Sequence, residues 1–131
     1  MMTENEITEK VIGCAIAVHK ALGPGLLESS YQRCLVYELR QKNLIVESQC
    51  ELPLIYKDIN LDFGYRLDLF VEKKVVIELK SIEALTDVHV AQMLTYLKLT
   101  SANIGLLINF NVRKLTDGVK RIAGRNYAMN E

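Results

Sequence analysis

The sequence has few of the residues that mark several common protein classes. Its three cysteines, Cys14, Cys34 and Cys50, are odd in number and widely scattered, and they form no CxxC or Cys/His spacing with the two histidines. Neither a zinc site nor a disulfide framework is therefore predicted. We expect reduced and mostly buried thiols.

A surplus of charge and a long apolar run are also missing. Sixteen basic and sixteen acidic side chains cancel, so no whole-molecule field draws the protein to nucleic acid or to a membrane. No apolar run approaches the roughly 20 residues that span a bilayer, and the N-terminus is acidic and polar rather than signal-like. These features predict a cytoplasmic protein that does not associate with membranes.

The cancelling charges are unevenly distributed. The segment from Arg113 onward is locally basic, which fits either a footprint for phosphate groups or a solvated C-terminal surface. It contains Arg113, Lys114, Lys120, Arg121 and Arg125 against Asp117 and Glu131.

The 131 residues are half hydrophobic and 24% charged, which is typical of a globular protein large enough to bury a core. We predict one domain over residues 1–131 that folds unaided. Its first helix follows a capping box at Thr3–Glu6 and ends at Gly23-Pro24-Gly25. A second helix is predicted over about 27–42 and a third over about 83–99, with a buried stripe of Val90, Met93, Leu94 and Leu97.

Between the second and third helices, residues 45–81 change to a two-residue period that predicts three strands. The turns are expected near residues 58–60 and 72–74, and Pro53 predicts a sheet edge or a bulge. The apolar run 102–110 predicts a buried parallel strand, with the third helix as its crossover. Residues 111–131 have only weak periodicity and receive no assignment. The order of elements predicts an α/β core with a mixed sheet.

The turn centred on Lys73 predicts a specific hairpin register. With Val71 opposite Val75, one face of the hairpin is wholly aliphatic: Leu67, Leu69, Val71, Val75, Ile77 and Leu79. In this register Asp68 is directly opposite Glu78, and Lys80 follows on the same face. A one-residue slip would mismatch the aliphatic rows, so the pattern itself favours this pairing.

Two opposed carboxylates have Cβ atoms about 4.5 to 5.5 Å apart, which is close enough to bind one hard cation such as Mg²⁺. Lys80 could then reach a water or phosphate oxygen beside the cation. The alternative is a salt-bridged polar face, in which Lys80 and Arg66 neutralise Asp68 and Glu78. Charged pairs of this kind are common on exposed strands, so the pattern alone leaves both interpretations open.

Two further pairs lie on the flanking helices. Glu28 and Tyr31 are three residues apart at the start of the second helix, where Glu28 could simply interact with the helix dipole and Tyr31 could belong to the core. Gln92 and Tyr96 are four apart on the third helix, on a face expected to differ from the Val90/Leu94/Leu97 stripe. A pair of this kind is also common on helix surfaces.

Together, Gly25-x-x-Glu28-x-x-Tyr31, Asp68, Glu78-x-Lys80 and Gln92-x-x-x-Tyr96 resemble the GxxExxY family of the PD-(D/E)XK nuclease superfamily. The resemblance covers nearly the whole chain, although Leu67 precedes Asp68 where the motif's name has Pro. It implies a restriction-endonuclease-like α/β fold, with a three-strand antiparallel meander plus a parallel strand in a mixed sheet flanked by helices.

The resemblance also implies roles for these residues. Asp68, Glu78 and the backbone carbonyl of Leu79 would bind Mg²⁺ or Mn²⁺, and Lys80 would orient or deprotonate the attacking water. Glu28 would complete the acidic cluster. Gln92 and Tyr96 would position water or the nucleic-acid backbone.

The implied function is a divalent-metal-dependent nuclease that hydrolyses phosphodiester bonds, with DNA as the expected substrate. The alternative is a catalytically silent module that binds nucleic acid or takes part in an assembly while it keeps the nuclease fold. Because a chain this small offers little surface to surround a duplex, homodimerisation is also predicted.

Overall fold

The computed structural model describes residues 1–61 and 65–124, and they contain one five-stranded mixed sheet. Its strands are β1 (Val46–Glu51), β4 (Arg66–Val71), β5 (Val75–Lys80), β6 (Ile104–Asn109) and β7 (Val119–Ala123), in the order β1-β4-β5-β6-β7. β1, β4 and β5 form an antiparallel meander, and β6 pairs with β5 in parallel. The predicted restriction-endonuclease-like α/β fold is confirmed.

Helices cover both faces of this sheet. Helix α1 (Glu4–Leu22) and helix α2 (Glu28–Gln41) pack on one face, and helix α3 (Asp87–Thr100) packs on the other. Thr3 and Glu6 form the predicted capping box at the start of α1. α3 connects β5 to β6, as expected of the crossover between two parallel strands.

Each face of the sheet contributes to its own hydrophobic cluster. On the side of α1 and α2, alternate strand residues such as Leu69, Ile77 and Leu106 pack with Tyr31 and Phe110. A second cluster lies on the side of α3 and contains Leu52, Leu67, Val76, Met93, Tyr96, Leu97, Leu107 and Ile122. The two clusters follow from the alternation of side chains along a strand.

The region predicted as three strands contains five. Leu52 and Pro53 interrupt the first of them, and the chain then forms a separate antiparallel ribbon of β2 (Leu54–Tyr56) and β3 (Ile59–Leu61). Its turn lies at 57–58, so the predicted turn at 58–60 was wrong by up to two residues. Proline has no N–H for a strand ladder, which fits the end of the edge strand β1 just before it.

Three other expectations need correction or addition. α3 begins at Asp87 rather than near Glu83, because Thr86 and His89 form its capping box. Leu94 is 41% exposed and does not belong to the buried stripe. The unassigned C-terminal segment contains a 3₁₀ helix (Leu115–Gly118) and β7, which pairs antiparallel with β6.

The predicted thiol burial is only partly correct, since Cys14 is buried, Cys50 is half-buried and Cys34 is exposed. In the basic segment, Arg113, Lys114, Lys120 and Arg121 are exposed, as either interpretation requires. Arg125 and Glu131 lie outside the described residues. Among helices in the described ranges, none has the length and apolarity to cross a membrane.

Candidate active site

The β4–β5 hairpin has the register that the sequence predicts. Val71 pairs with Val75 and Leu69 with Ile77, and the same register places Asp68 opposite Glu78. The aliphatic face is confirmed for five of its six members. Leu67 is the exception, because it packs in the cluster on the side of α3.

The strand pairing is interrupted at Asp68, which explains the position of Leu67. The pairing of β1 with β4 includes Ser48 with Leu69 and Cys50 with Leu67, but no pair at Asp68 between them. The pairing of β4 with β5 ends at Leu69. Asp68 is therefore skipped by the ladders on both sides. Since regular alternation requires continuous pairing, residues on either side of Asp68 can face different clusters.

The carboxylates of the site replace the missing ladder bonds. The backbone N–H of Asp68 donates to Oε2 of Glu78 at 3.2 Å, and the backbone N–H of Leu79 donates to Oδ2 of Asp68 at 2.8 Å. Each carboxylate thus satisfies a backbone donor of the opposite strand. This exchange holds both side chains in place where the two strands separate.

Burial gives the two carboxylates different properties. Glu78 is 5% exposed, whereas Asp68 is half-buried. Burial, together with the hydrogen bond and the negative charge of Asp68, raises the pKa of Glu78 to about 9, and Lys80 offsets only part of this. Without a cation, Glu78 therefore holds a proton at neutral pH.

Lys80 is the last residue of β5 and is half-buried. Its backbone carbonyl accepts from Phe110 N–H at 2.9 Å, which continues the pairing of β5 with β6. Its ammonium group is near enough to Glu78 to favour the ionised carboxylate. The predicted grouping of Asp68, Glu78 and Lys80 at one end of the hairpin is thus present in the structure.

Helix α3 brings Tyr96 to the same face. Tyr96 is 6% exposed and packs with Met93 and Leu97, so the expectation that it lies apart from the buried stripe was wrong. Burial and the charges of Glu78 and Asp68 raise the pKa of its hydroxyl. Gln92 lies one turn earlier on α3 and is exposed.

The Gly25-x-x-Glu28-x-x-Tyr31 motif forms the connection between α1 and α2. The Tyr31 hydroxyl donates to the carbonyl of Gly23 at 2.6 Å and accepts from Leu26 N–H at 3.1 Å, while its ring stacks on Phe110. Gly25 has φ +94°, a conformation that L side chains rarely adopt. Tyr31 is thus a core residue whose hydroxyl holds this loop.

The loop contacts the end of β5. The hydroxyl of Ser81 donates to the carbonyl of Leu26 at 2.6 Å, one residue beyond Lys80. Glu28, the first residue of α2, is exposed. In residues 1–61 and 65–124, no group of three or more His, Cys, Asp or Glu side chains is arranged to hold a metal ion. Participation of Glu28 in an acidic cluster therefore stays a prediction.

One residue that sequence reasoning missed supports the site from β6. Asn109 is paired with Lys80 across the parallel strands and is buried. Its side chain accepts from the N–H groups of Ile82 and Asn111 and donates to the carbonyl of Ile82. It therefore fixes the chain directly after Lys80. The only signal in the sequence is that Asn109 is one of two polar residues, with Asn103, in the otherwise apolar run 102–110.

A sequence model of the PD-(D/E)XK nuclease superfamily matches residues 5–122. No curated protein and no solved structure gives a significant match. Because the match covers most of the chain, including the hairpin and α3, the protein belongs to the PD-(D/E)XK nuclease superfamily. Members of this superfamily are generally nucleases and typically use divalent metal ions. The finer assignment to the GxxExxY family stays a prediction.

Proposed function

We propose that the protein is a divalent-metal-dependent nuclease that hydrolyses phosphodiester bonds in DNA, with its active site at Asp68, Glu78 and Lys80. The observation that carries this proposal is the pair of carboxylates facing each other where β4 and β5 separate. A salt-bridged surface patch would leave both acids solvated. Here one of them is buried against the other at a cost in free energy.

The donor set fits a hard divalent cation. Asp68, Glu78 and the carbonyl of Leu79 would hold Mg²⁺ or Mn²⁺, because carboxylate and carbonyl oxygens are the ligands that these ions prefer. A bound cation would also remove the repulsion that raises the pKa of Glu78. When bound, it supplies Lewis-acid polarisation of a phosphoryl oxygen and lowers the pKa of a bound water.

The other site residues act on the attacking water and on the substrate. Lys80 orients that water or, as the neutral amine, accepts its proton, and its ammonium form offsets negative charge that develops on the phosphate. Tyr96 and Gln92 position water or the nucleic-acid backbone from α3. Glu28, at the N-terminal end of α2, contributes a further carboxylate through water.

A cleavage assay tests the proposal directly. Supercoiled plasmid and single- and double-stranded oligonucleotides are incubated with Mg²⁺ or Mn²⁺ and with EDTA. We expect the native protein to cleave only with the cation. In Lys80→Ala and Asp68→Asn the cleavage rate should fall by at least about 100-fold, as is typical when a general base or charge-stabilising group is removed.

Two matched variants serve as controls for this assay. Lys10→Ala and Asp58→Asn remove the same charges at exposed positions on α1 and in the turn of the β2–β3 ribbon. Both should cleave at the native rate. No cleavage by the native protein, or equal rates in Lys80→Ala and Lys10→Ala, would refute the proposal.

A catalytically silent nucleic-acid-binding or assembly module is the second candidate. It is favoured by the finding that the described residues bring together two acidic ligands rather than three. Nucleic-acid binding that needs no Mg²⁺ and is unchanged by Asp68→Asn would support it. Calorimetric detection of a Mn²⁺ site that is lost in Asp68→Asn would argue against it.

Homodimerisation is part of the proposal for a duplex substrate. A chain of 131 residues offers little surface to surround a DNA duplex, and a second copy would supply the other side. Sedimentation equilibrium with and without DNA tests this point. A monomer under both conditions would overturn it.

A further inference from the structure

A groove of about 440 Å³ lies between α2 and the edge strand β1. Its lining includes Arg33, Tyr37 and Arg40 from α2 and Ser48 from β1, and none of the described residues that line it is acidic. The protein as a whole has no net charge. This groove is therefore a local concentration of positive charge with a tyrosine in it.

The three α2 residues form one continuous stripe. They are spaced four and three residues apart, so they lie on the same face of the helix, and all three are exposed. Tyr37 is 61% exposed. One guanidinium N–H of Arg40 donates to the carbonyl of Val46 at 3.0 Å, which orients the group and leaves its other donors for a ligand.

The groove lies next to the β1 residue that is opposite Asp68. Gln49 lies opposite Asp68, because the β1–β4 pairs on either side of it are Ser48 with Leu69 and Cys50 with Leu67. The side chain of Gln49 donates to that of Gln32, a lining residue of the groove, at 3.1 Å. Gln49 has φ +52°, an uncommon conformation that carries strand β1 past the interrupted pairing. Gln49 thus lies at the edge of the sheet, between the groove on the α2 side and the strand position of Asp68.

We infer that this groove binds a single-stranded segment of the nucleic acid whose scissile phosphate lies at Asp68 and Glu78. Arg33 and Arg40 contact the phosphates, and a base stacks on the ring of Tyr37. An exposed aromatic ring between two basic groups is suited to single strands because their bases are accessible for stacking, whereas the bases of a duplex are not. The inference rests on the proposed function for the position of the scissile phosphate.

Fluorescence anisotropy with a labelled single-stranded oligonucleotide of about 15 nucleotides and its duplex tests the inference in EDTA, where no cleavage occurs. We expect the single strand to bind more tightly than the duplex. Tyr37→Ala should lower the affinity for the single strand about 5- to 150-fold, because one stacked base is lost. Arg33→Ala should reduce the slope of log Kd against log salt concentration by about 0.7, and Arg33→Lys should restore it.

Matched variants separate the groove from the rest of the surface. Tyr56 on the β2–β3 ribbon is 60% exposed, almost the same as Tyr37, and Lys10 is an exposed cation on α1. Tyr56→Ala and Lys10→Ala should bind like the native protein. Circular dichroism melting of every variant shows whether a loss of binding reflects unfolding.

The outcomes distinguish this inference from the proposed function. If the native protein cleaves but Tyr37→Ala and Arg33→Ala bind like the controls, the inference is refuted and the nuclease function stands. If binding depends on Tyr37 and Arg33 but no cation supports cleavage, the groove assignment stands and the nuclease function fails. An equal loss of affinity in Tyr37→Ala and Tyr56→Ala would also refute the assignment of the groove as a binding site.

Discussion

Replacement of Glu78 by glutamine should stabilise the protein in the absence of divalent cations. Glu78 is buried next to Asp68, and its pKa is raised from 4.5 to about 9. Glutamine has the same shape as the protonated acid. Its amide can accept from the N–H of Asp68, as Glu78 does at 3.2 Å, and donate to the Asp68 carboxylate.

The size of the effect follows from the protons bound in each state. Between pH 4.5 and about 9 the folded protein keeps the proton on Glu78, whereas the unfolded chain has released it. Stability therefore falls as the pH rises, by up to about 1.4 kcal/mol per pH unit. Glu78→Gln has no proton to release at this position, so its stability advantage over the native protein grows with pH and reaches on the order of 5 kcal/mol at pH 8.

Urea unfolding followed by circular dichroism measures this difference between pH 5 and pH 9 in EDTA. Glu9→Gln is the matched control, because it removes a carboxylate at an exposed position on α1. A difference between native protein and Glu78→Gln that stays constant with pH would refute the burial argument. So would a variant that is less stable than the native protein at pH 8.

Three further predictions concern the metal and the core. Because Glu78 is protonated without a cation, Mg²⁺ binding at pH 7 should release close to one proton, and calorimetric enthalpies that are identical in buffers of different ionisation enthalpy would contradict this. In Gly118→Ala the new Cβ would clash with the Asn109 carbonyl oxygen, whereas a Cβ added at Gly13 in α1 would have no neighbour within 4 Å. Thermal melts should show a loss of about 3 kcal/mol or more for Gly118→Ala and a gain of up to about 1 kcal/mol for Gly13→Ala, and equal effects would contradict the packing. Tyr31→Phe removes two hydrogen bonds from the loop between α1 and α2 and should cost about 1 to 2 kcal/mol in urea unfolding, with a native-like value refuting the role of the hydroxyl.

Local patterns predicted much of the fold because their causes are local. The capping box at Thr3 and the helical period define α1 from its own residues. The register of the hairpin was predictable because a slip by one residue would expose its whole aliphatic row. The same pattern is enough to place Asp68 opposite Glu78.

The elements that were missed depend on distant partners. β7 has weak periodicity of its own and exists as a strand because it pairs with β6. The ribbon of β2 and β3 is stabilised by pairing within itself rather than in the main sheet. The burial of Tyr96 and the exposure of Leu94 are set by the way α3 packs on the sheet, which helical spacing alone does not specify.

The candidate site shows the same division. The sequence by itself determined which acids, which lysine and which helix residues are available, and it placed Asp68, Glu78 and Lys80 on one hairpin face. Only the tertiary structure decided that the pairing breaks at Asp68, that Glu78 is buried while Asp68 is half-buried, and that α2 and β1 form a basic groove at the edge of the sheet. The pKa of Glu78 depends on its burial, and burial depends on the packing of segments that are far apart in the chain.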